Sequence, residues 1–208
     1  MACYIFGAGS YYGLTQRPEK DDYVIAADGG YRWCVQEGIE PDLLLGDFDS
    51  LEKIPDFPRI LRVPVEKDDT DMMLAVKKGL SLGQRIFHLY GGLGGNRTDH
   101  TIANLQTLLY LAARGAQGYL YGHREWYTAI CGGSARFPAR AEGILSVFCL
   151  GTPATGVTIR GGQYPLEDAC LTAEFPLGVS NHFVGKPVTV TVKDGALLLG
   201  IHDGISDI

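Results

Sequence analysis

No stretch of this sequence stays apolar long enough to cross a bilayer, and the opening MACYIFGAGSYYG puts no basic leader ahead of a long apolar run. Cysteine is sparse and unpatterned. Cys3, Cys34, Cys131, Cys149 and Cys170 form no CxxC and no zinc-finger spacing, and five cannot pair into a complete disulfide framework. They are expected to be small buried apolar residues in a reducing compartment. Positive charge is short as well. Eighteen Lys and Arg stand against 24 Asp and Glu, and the formal net charge of −6 argues against a broad electrostatic grip on nucleic acid or an anionic membrane. The expectation is a cytoplasmic protein with neither nucleic acid nor membrane as a partner. There is no GxxxxGK[ST], which disfavours a P-loop ATPase, and Ser10, Ser134 and Ser180 lack a nucleophile-elbow context. His123, His182 and His202 show no metal-ligand spacing, and His88 lies in an apolar run that marks it as a satisfied core histidine.

What is present is enough apolar material for a core: 46% of 208 residues, with 20% charged, so nothing in the composition points to disorder. The first part alternates strand-like and helix-like segments. Cys3–Phe6, Tyr23–Ala27, 43–45, 60–65, 85–90 and Gln117–Tyr121 read as strands. Tyr31–Glu37, closed by Gly38 and Pro41, reads as a helix; so does the stretch from Thr70, where Met72, Met73, Val76 and Leu80 share a face. Residues 100–114, ended by Gly115, form a third amphipathic pattern. This alternation predicts a mostly parallel, doubly wound α/β sheet over residues 1–126. Beyond Trp126 the helical period fades. Short apolar runs at 145–150, 157–160, 170–175, 187–192 and 196–200, separated by Gly, Pro and Asn, predict an all-β sandwich over 127–208, with a boundary near 124–133.

The carboxylates carry the chemical signal. Asp28 follows the second strand, Asp47 and Asp49 the third, Asp71 opens the helix after the fourth, and Asp99 lies beyond the fifth across a glycine-rich loop. All five should project from strand-to-helix turns at the carboxyl edge of the sheet, where open α/β folds bind ligands. One such Asp is commonly a helix cap. Five around one edge would repel one another unless a cation sits among them. In Gly46-Asp47-Phe48-Asp49-Ser50 the acids are two apart, so an extended backbone would point both toward one ion while Phe48 packs the other way. Oxygen-only ligands suit Mg²⁺ rather than zinc.

Gly91-Gly92-Leu93-Gly94-Gly95-Asn96-Arg97 lies between a strand and a helix. Closely spaced glycines let backbone N–H groups approach phosphate oxygens, so Gly92, Gly94 and Gly95 are candidate phosphate contacts, and Arg97 adds a fork of donors suited to phosphate. Gly7-Ala8-Gly9 is a weaker second candidate, since Gly13 comes one residue late for the dinucleotide fingerprint.

Taken in order, these motifs resemble the thiamine pyrophosphokinase family. Ala26-Ala27-Asp28-Gly29-Gly30, Pro41-Asp42 leading to Gly46-Asp47-Phe48-Asp49-Ser50, Lys67-Asp68-Asp69-Thr70-Asp71, and Arg97-Thr98-Asp99-His100 with Ala103-Asn104 carry the first half of the resemblance. Arg160-Gly161-Gly162-Gln163-Tyr164-Pro165-Leu166 and Gly178-Val179-Ser180-Asn181 carry the second. The resemblance implies an ATP- and Mg²⁺-binding catalytic domain, a thiamine-binding β-sandwich, and a homodimer with active sites between subunits. It also implies that Asp47, Asp49 and Asp71 hold Mg²⁺ with Asp28 nearby, and that Arg97 and Asp99 contact ATP or order the site. Tyr164, Ser180 and Asn181 would hold thiamine. The expected reaction moves a diphosphate from ATP to the thiamine hydroxyl by in-line attack on the β-phosphorus, releasing AMP, with Asp71 the candidate for accepting the hydroxyl proton. Two alternatives remain open: a diphosphokinase for another hydroxymethyl compound such as a pterin, and a non-catalytic sensor of nucleotide or thiamine.

Overall fold

Short, wholly apolar strands such as CYIF and YVIAA can be buried on both faces only if helices or loops cover the sheet on each side. A computed structural model, which describes residues 1–48, 57–64, 66 and 68–203, shows this arrangement in the first of two units. The units are Met1–Thr107 with Gly118–Gly122, and Leu108–Gln117 with His123–Ile208. Six strands belong to the first part of the chain: β1 (Cys3–Phe6), β2 (Tyr23–Ala27), β3 (Leu43–Gly46), β4 (Ile60–Arg62), β5 (Ile86–Tyr90) and β6 (Gln117–Tyr121). They lie in the order β6-β5-β1-β2-β3-β4. Each pair from β5 to β4 is parallel, with Cys3 beside Tyr23 on one side and beside Phe87 on the other. Strand order therefore reverses between β1 and β5, the switch point where such sheets open a crevice.

Three helices accompany these strands: α1 (Tyr31–Glu37), α2 (Asp71–Ser81) and α3 (Thr98–Ala112). Helix α2 starts where Thr70 Oγ1 accepts a hydrogen bond from Met73 N at 3.2 Å, and it buries Met72, Ala75, Val76 and Gly79. Among the described residues no helix is long and apolar enough to cross a membrane.

One face of this sheet is aromatic. Tyr4 and Phe6 on β1 sit in register with His88 and Tyr90 on β5, and Tyr119 and Tyr121 continue the row on β6. Tyr4 stacks on His88 at 4.6 Å and Tyr90 on Tyr121 at 4.7 Å. The segment after β1 runs over this face and is tied to it where Tyr90 Oη accepts from Gln16 N and donates to Gln16 O, both at 3.0 Å. His88 is the satisfied core histidine its setting predicts. It is 6% exposed, and its Nδ1 is hydrogen-bonded to the Tyr121 hydroxyl at 2.9 Å. Burial holds its pKa below the ordinary 6.5, partly opposed by the charge of Asp22. A histidine kept neutral in the fold but free to take a proton when unfolded makes stability fall as pH drops through about 6.5. The loss approaches about 1.4 kcal/mol per pH unit while the two states differ by one proton. Urea unfolding at pH 7.5 and 5.5 should therefore show a smaller pH difference in His88→Gln than in the wild type. Equal differences would contradict this account.

The second unit carries β7 (Glu125–Phe137), β8 (Ile144–Phe148), β9 (Ala154–Arg160), β10 (Leu166–Leu171), β11 (Gly178–His182) and β12 (Val188–His202). The pairs β10/β9, β9/β12, β12/β7, β12/β8 and β8/β11 are all antiparallel. Strand β12 serves two neighbours in succession. Residues from Thr189 to Asp194 pair with β9, and those from Leu198 to His202 pair with β8. A strand shared this way bends two sheet layers over one core, which here includes Phe137, Leu145, Val147, Val190, Leu199 and Ile201.

The sequence pattern predicts two strands, 187–192 and 196–200, where there is one, β12. The difference has a local cause. Between Val192 and Ala196 the β12/β7 register shifts, and the facing Gly132 and Gly133 adopt φ of 67° and 82°, conformations that admit glycine readily. Turn-like residues here are a bulge inside a long hairpin. Of the five free cysteines, Cys3, Cys34 and Cys149 are buried as expected, whereas Cys131 and Cys170 are exposed on β7 and β10.

Candidate active site

The carboxyl ends of the parallel strands surround a cavity of about 720 Å³. The turn after β1 and the turn after β5 meet across the switch point. Gly7 N donates to Tyr90 O at 2.8 Å, and Gly9 N donates to Gly91 O at 3.0 Å. Gly91 has φ +68°, and a Cβ there would collide with the Gly7 carbonyl oxygen, so only glycine lets the two turns approach so closely. This contact changes the reading of Gly7-Ala8-Gly9. Its glycine amides are engaged within the protein, so close packing of two turns accounts for those glycines, although 7–10 do line the cavity.

Three of the predicted acids line this cavity together. Asp28 is buried, has φ +49°, and opens the short 3₁₀ turn Asp28–Gly30 that leads into α1. Asp47 directly follows β3, and Asp71 is the first residue of α2. The next residue after Asp47, Phe48, is buried with φ +61°. A bulky residue in this region costs on the order of 1–3 kcal/mol, and such strain gathers at functional sites. The backbone at Phe48 is thus left-handed where an extended conformation is expected. Asp49 lies outside the described residues. Among the described residues, no group of three or more His, Cys, Asp or Glu side chains stands close enough to hold one metal ion.

Opposite the acids, 91–95 lead into α3. Gly92, Gly94 and Gly95 line the cavity, and the buried Asn104 donates from Nδ2 to Gly92 O at 2.8 Å, tying the loop to the helix. Arg97 also lines the cavity. Asp99 does not; its carboxylate accepts from Arg97 Nε at 3.0 Å and from Nη2 at 2.8 Å. These hydrogen bonds hold the Asp99 pKa down to about 2. The cavity further exposes Ser10, Trp33, His100, Thr101 and Asn104, for which the sequence reading assigns no role. His100, Thr101 and Asn104 carried a legible signal, being one and two helical turns beyond Arg97. Trp33 carried none beyond its place on the helix after Asp28.

The other three predicted residues belong to the second unit. Asn181 is buried, and its side chain closes two hydrogen bonds with the backbone of Tyr164. Its Oδ1 accepts from Tyr164 N at 3.0 Å and its Nδ2 donates to Tyr164 O at 2.6 Å. That clamp fixes the segment that presents the Tyr164 ring, which is 58% exposed. Ser180 is exposed with φ +61°, and its N donates to Ser146 Oγ at 3.2 Å.

Carboxylates facing a glycine loop and an arginine across an α/β switch point define a phosphoryl-group-transferring enzyme. The family model described as thiamin pyrophosphokinase, catalytic domain, matches residues 14–120, and the one described as thiamin pyrophosphokinase, vitamin B1 binding domain, matches 136–197. The chain belongs to the thiamine pyrophosphokinase family, whose members are diphosphotransferases. It is 25% identical over 193 residues to the thiamine pyrophosphokinase of Bacillus subtilis (strain 168), covering 89% of this chain and 90% of the relative. Among solved structures, thiamine pyrophosphokinase from Bacillus subtilis superposes with a TM-score of 0.88 at 22% identity, covering 99% of this chain and all of the other. The yeast enzyme superposes at 0.71 and 14%, covering 97% and 86%. At these identities the solved structures establish the fold.

Proposed function

We propose that the protein transfers a diphosphate from ATP to the hydroxyl of thiamine, giving AMP and thiamine diphosphate. The observation that carries this is the convergence of Asp28, Asp47 and Asp71, from three separate turns, on one cavity that the 91–95 loop and Arg97 also line. Such a cavity is too negative for a triphosphate unless a cation accompanies it. The donor set is hard oxygen, which suits Mg²⁺; Asp47 and Asp71 would hold it together with Asp49, which lies outside the described residues, with Asp28 nearby. When bound, Mg²⁺ would neutralise charge on the phosphate oxygens.

The chain's own groups divide the remaining tasks. The amides of 92–95 and the N-terminal end of the 15-residue α3 favour phosphate oxygens. Arg97 adds donors where charge develops during transfer, and Asp99 fixes the direction of that guanidinium. Asp71 accepts the proton from the thiamine hydroxyl as its oxygen attacks the β-phosphorus. Thiamine itself, a fixed cation, rests on the exposed Tyr164 ring with Ser180 beside it, Asn181 acting by clamping Tyr164. Exposed apolar side chains support a homodimer that places this surface at its interface: Phe175 and Leu177 precede β11, Val179 lies on it and Val184 follows. In this reading residues 1–126 form the catalytic domain, residues 127–208 the thiamine-binding domain, and the enzyme is cytoplasmic.

The test is product analysis after incubating the protein with ATP, Mg²⁺ and thiamine. AMP and thiamine diphosphate in equal amounts are expected. ADP with thiamine monophosphate would overturn the transfer mechanism, and unmodified thiamine would overturn the substrate.

A further inference from the structure

We propose that Trp33 is the wall against which the purine base of the nucleotide rests, which makes it a specificity-determining residue for the reaction assigned above. The proposal depends on that assignment for the identity of the nucleotide. The lining of the cavity is otherwise glycine, carboxylate, hydroxyl, amide, Arg97 and His100, with small contributions from alanine and the buried Met72. These groups suit a triphosphate and its counter-ion. A purine needs a broad apolar surface, and Trp33 is the one Trp, Tyr or Phe side chain in the lining among the described residues.

Its position and rigidity fit the role. Trp33 lies in the first turn of α1, immediately after the Asp28–Gly30 turn, so one short segment brings a carboxylate and a ring to the same cavity. The ring stacks on Tyr11 at 5.1 Å with 18° between planes. Tyr11 in turn packs against Phe6 at 6.5 Å and Tyr90 at 6.4 Å, which anchors the indole to the aromatic face of the sheet. The Arg32 guanidinium stands 6.0 Å from the ring centre and adds a second restraint. The indole Nε1 is buried and makes no hydrogen bond among the described residues. What Trp33 presents to the cavity is therefore ring surface and no donor, which suits contact with the face or edge of a base and gives no hydrogen bond to a phosphate. Because the ring is already held in place, binding loses little side-chain entropy.

The experiment is a calorimetric titration of wild-type protein, Trp33→Ala, Trp33→Leu and Trp33→Phe with two probes in the presence of Mg²⁺: AMP, which carries the base, and inorganic tripolyphosphate, which does not. Trp33→Ala should weaken AMP about tenfold, a loss in the range of base–aromatic stacking. Trp33→Phe should stay within about threefold of wild type, because a flat ring remains. Tripolyphosphate should bind all variants alike. If Trp33→Ala does not fold, Trp33→Leu, which keeps apolar bulk against Tyr11 but no plane, supplies the same comparison. AMP affinity unchanged in the variants, or tripolyphosphate weakened as much as AMP, would overturn the proposal. Neither readout needs thiamine turnover. A wild type that binds AMP through Trp33 yet leaves thiamine unmodified would sink the reaction assigned above and leave this inference standing.

Discussion

Asp47→Asn is expected to lower kcat/KM for thiamine diphosphate formation by about 10²–10³-fold, the usual range for loss of one group that stabilises transition-state charge. Asn keeps the volume and one oxygen of Asp but removes the full negative charge. The residue is half-buried at the carboxyl end of β3, beyond the paired strand segment, so sheet hydrogen bonding does not depend on it. The unfolding transition should stay where the wild type has it. The dependence on Mg²⁺ should also shift, with more metal needed for half-maximal rate, because one anionic ligand has become neutral. Steady-state rates across a Mg²⁺ series, with thermal unfolding in parallel, decide the matter. Wild-type activity at ordinary Mg²⁺ would remove Asp47 from the metal site; lost activity with a lowered melting temperature would make it structural.

Most of the parallel sheet was legible because burial on both faces leaves continuous apolar strands. Cys3–Phe6, Tyr23–Ala27 and Gln117–Tyr121 sit where their composition puts them, and Thr70 starts a helix as its hydroxyl predicts. The placement of Asp28, Asp47 and Asp71 around one cavity followed from strand order and the carboxyl-edge rule. What stayed hidden depends on contacts between distant residues. The glycines 7 and 9 look like phosphate binders in sequence, and only the packing of one turn on Gly91 shows their other use. The bulge at Gly132-Gly133, which lets β12 run on as one strand, is hidden too, because a bulge and a turn call for the same residues. Strand β11, GVSNH, is short, polar and contains a left-handed Ser180, so no apolar alternation reveals it. Likewise the closure of the Asn181 amide on the Tyr164 backbone joins residues 17 apart and leaves no mark in the sequence.

The largest expected loss belongs to Arg97. Arg97→Ala should lower kcat by about 10³-fold, the lower end of what an arginine facing a transferring phosphoryl group contributes. The Arg97–Asp99 pair is exposed on both sides, so the change should leave the melting temperature unmoved. Asp99 is the more informative partner. It does not line the cavity, and two of the guanidinium nitrogens, Nε and Nη2, bond to it. If Asp99 acts by aiming Arg97, Asp99→Asn should lower kcat by roughly tenfold, since an amide can replace only one of those two acceptances. In an Arg97→Ala background the Asp99→Asn change should then do nothing further, because nothing is left to aim. Multiplying effects in the double variant would instead mean that Asp99 meets substrate or proton on its own account. The pH profile separates the same alternatives. Arg97 holds the Asp99 carboxyl at about 2, so the carboxylate stays ionised throughout the working range. A positioning role therefore leaves no Asp99 limb in the rate profile above pH 5, whereas direct proton transfer by Asp99 would require one.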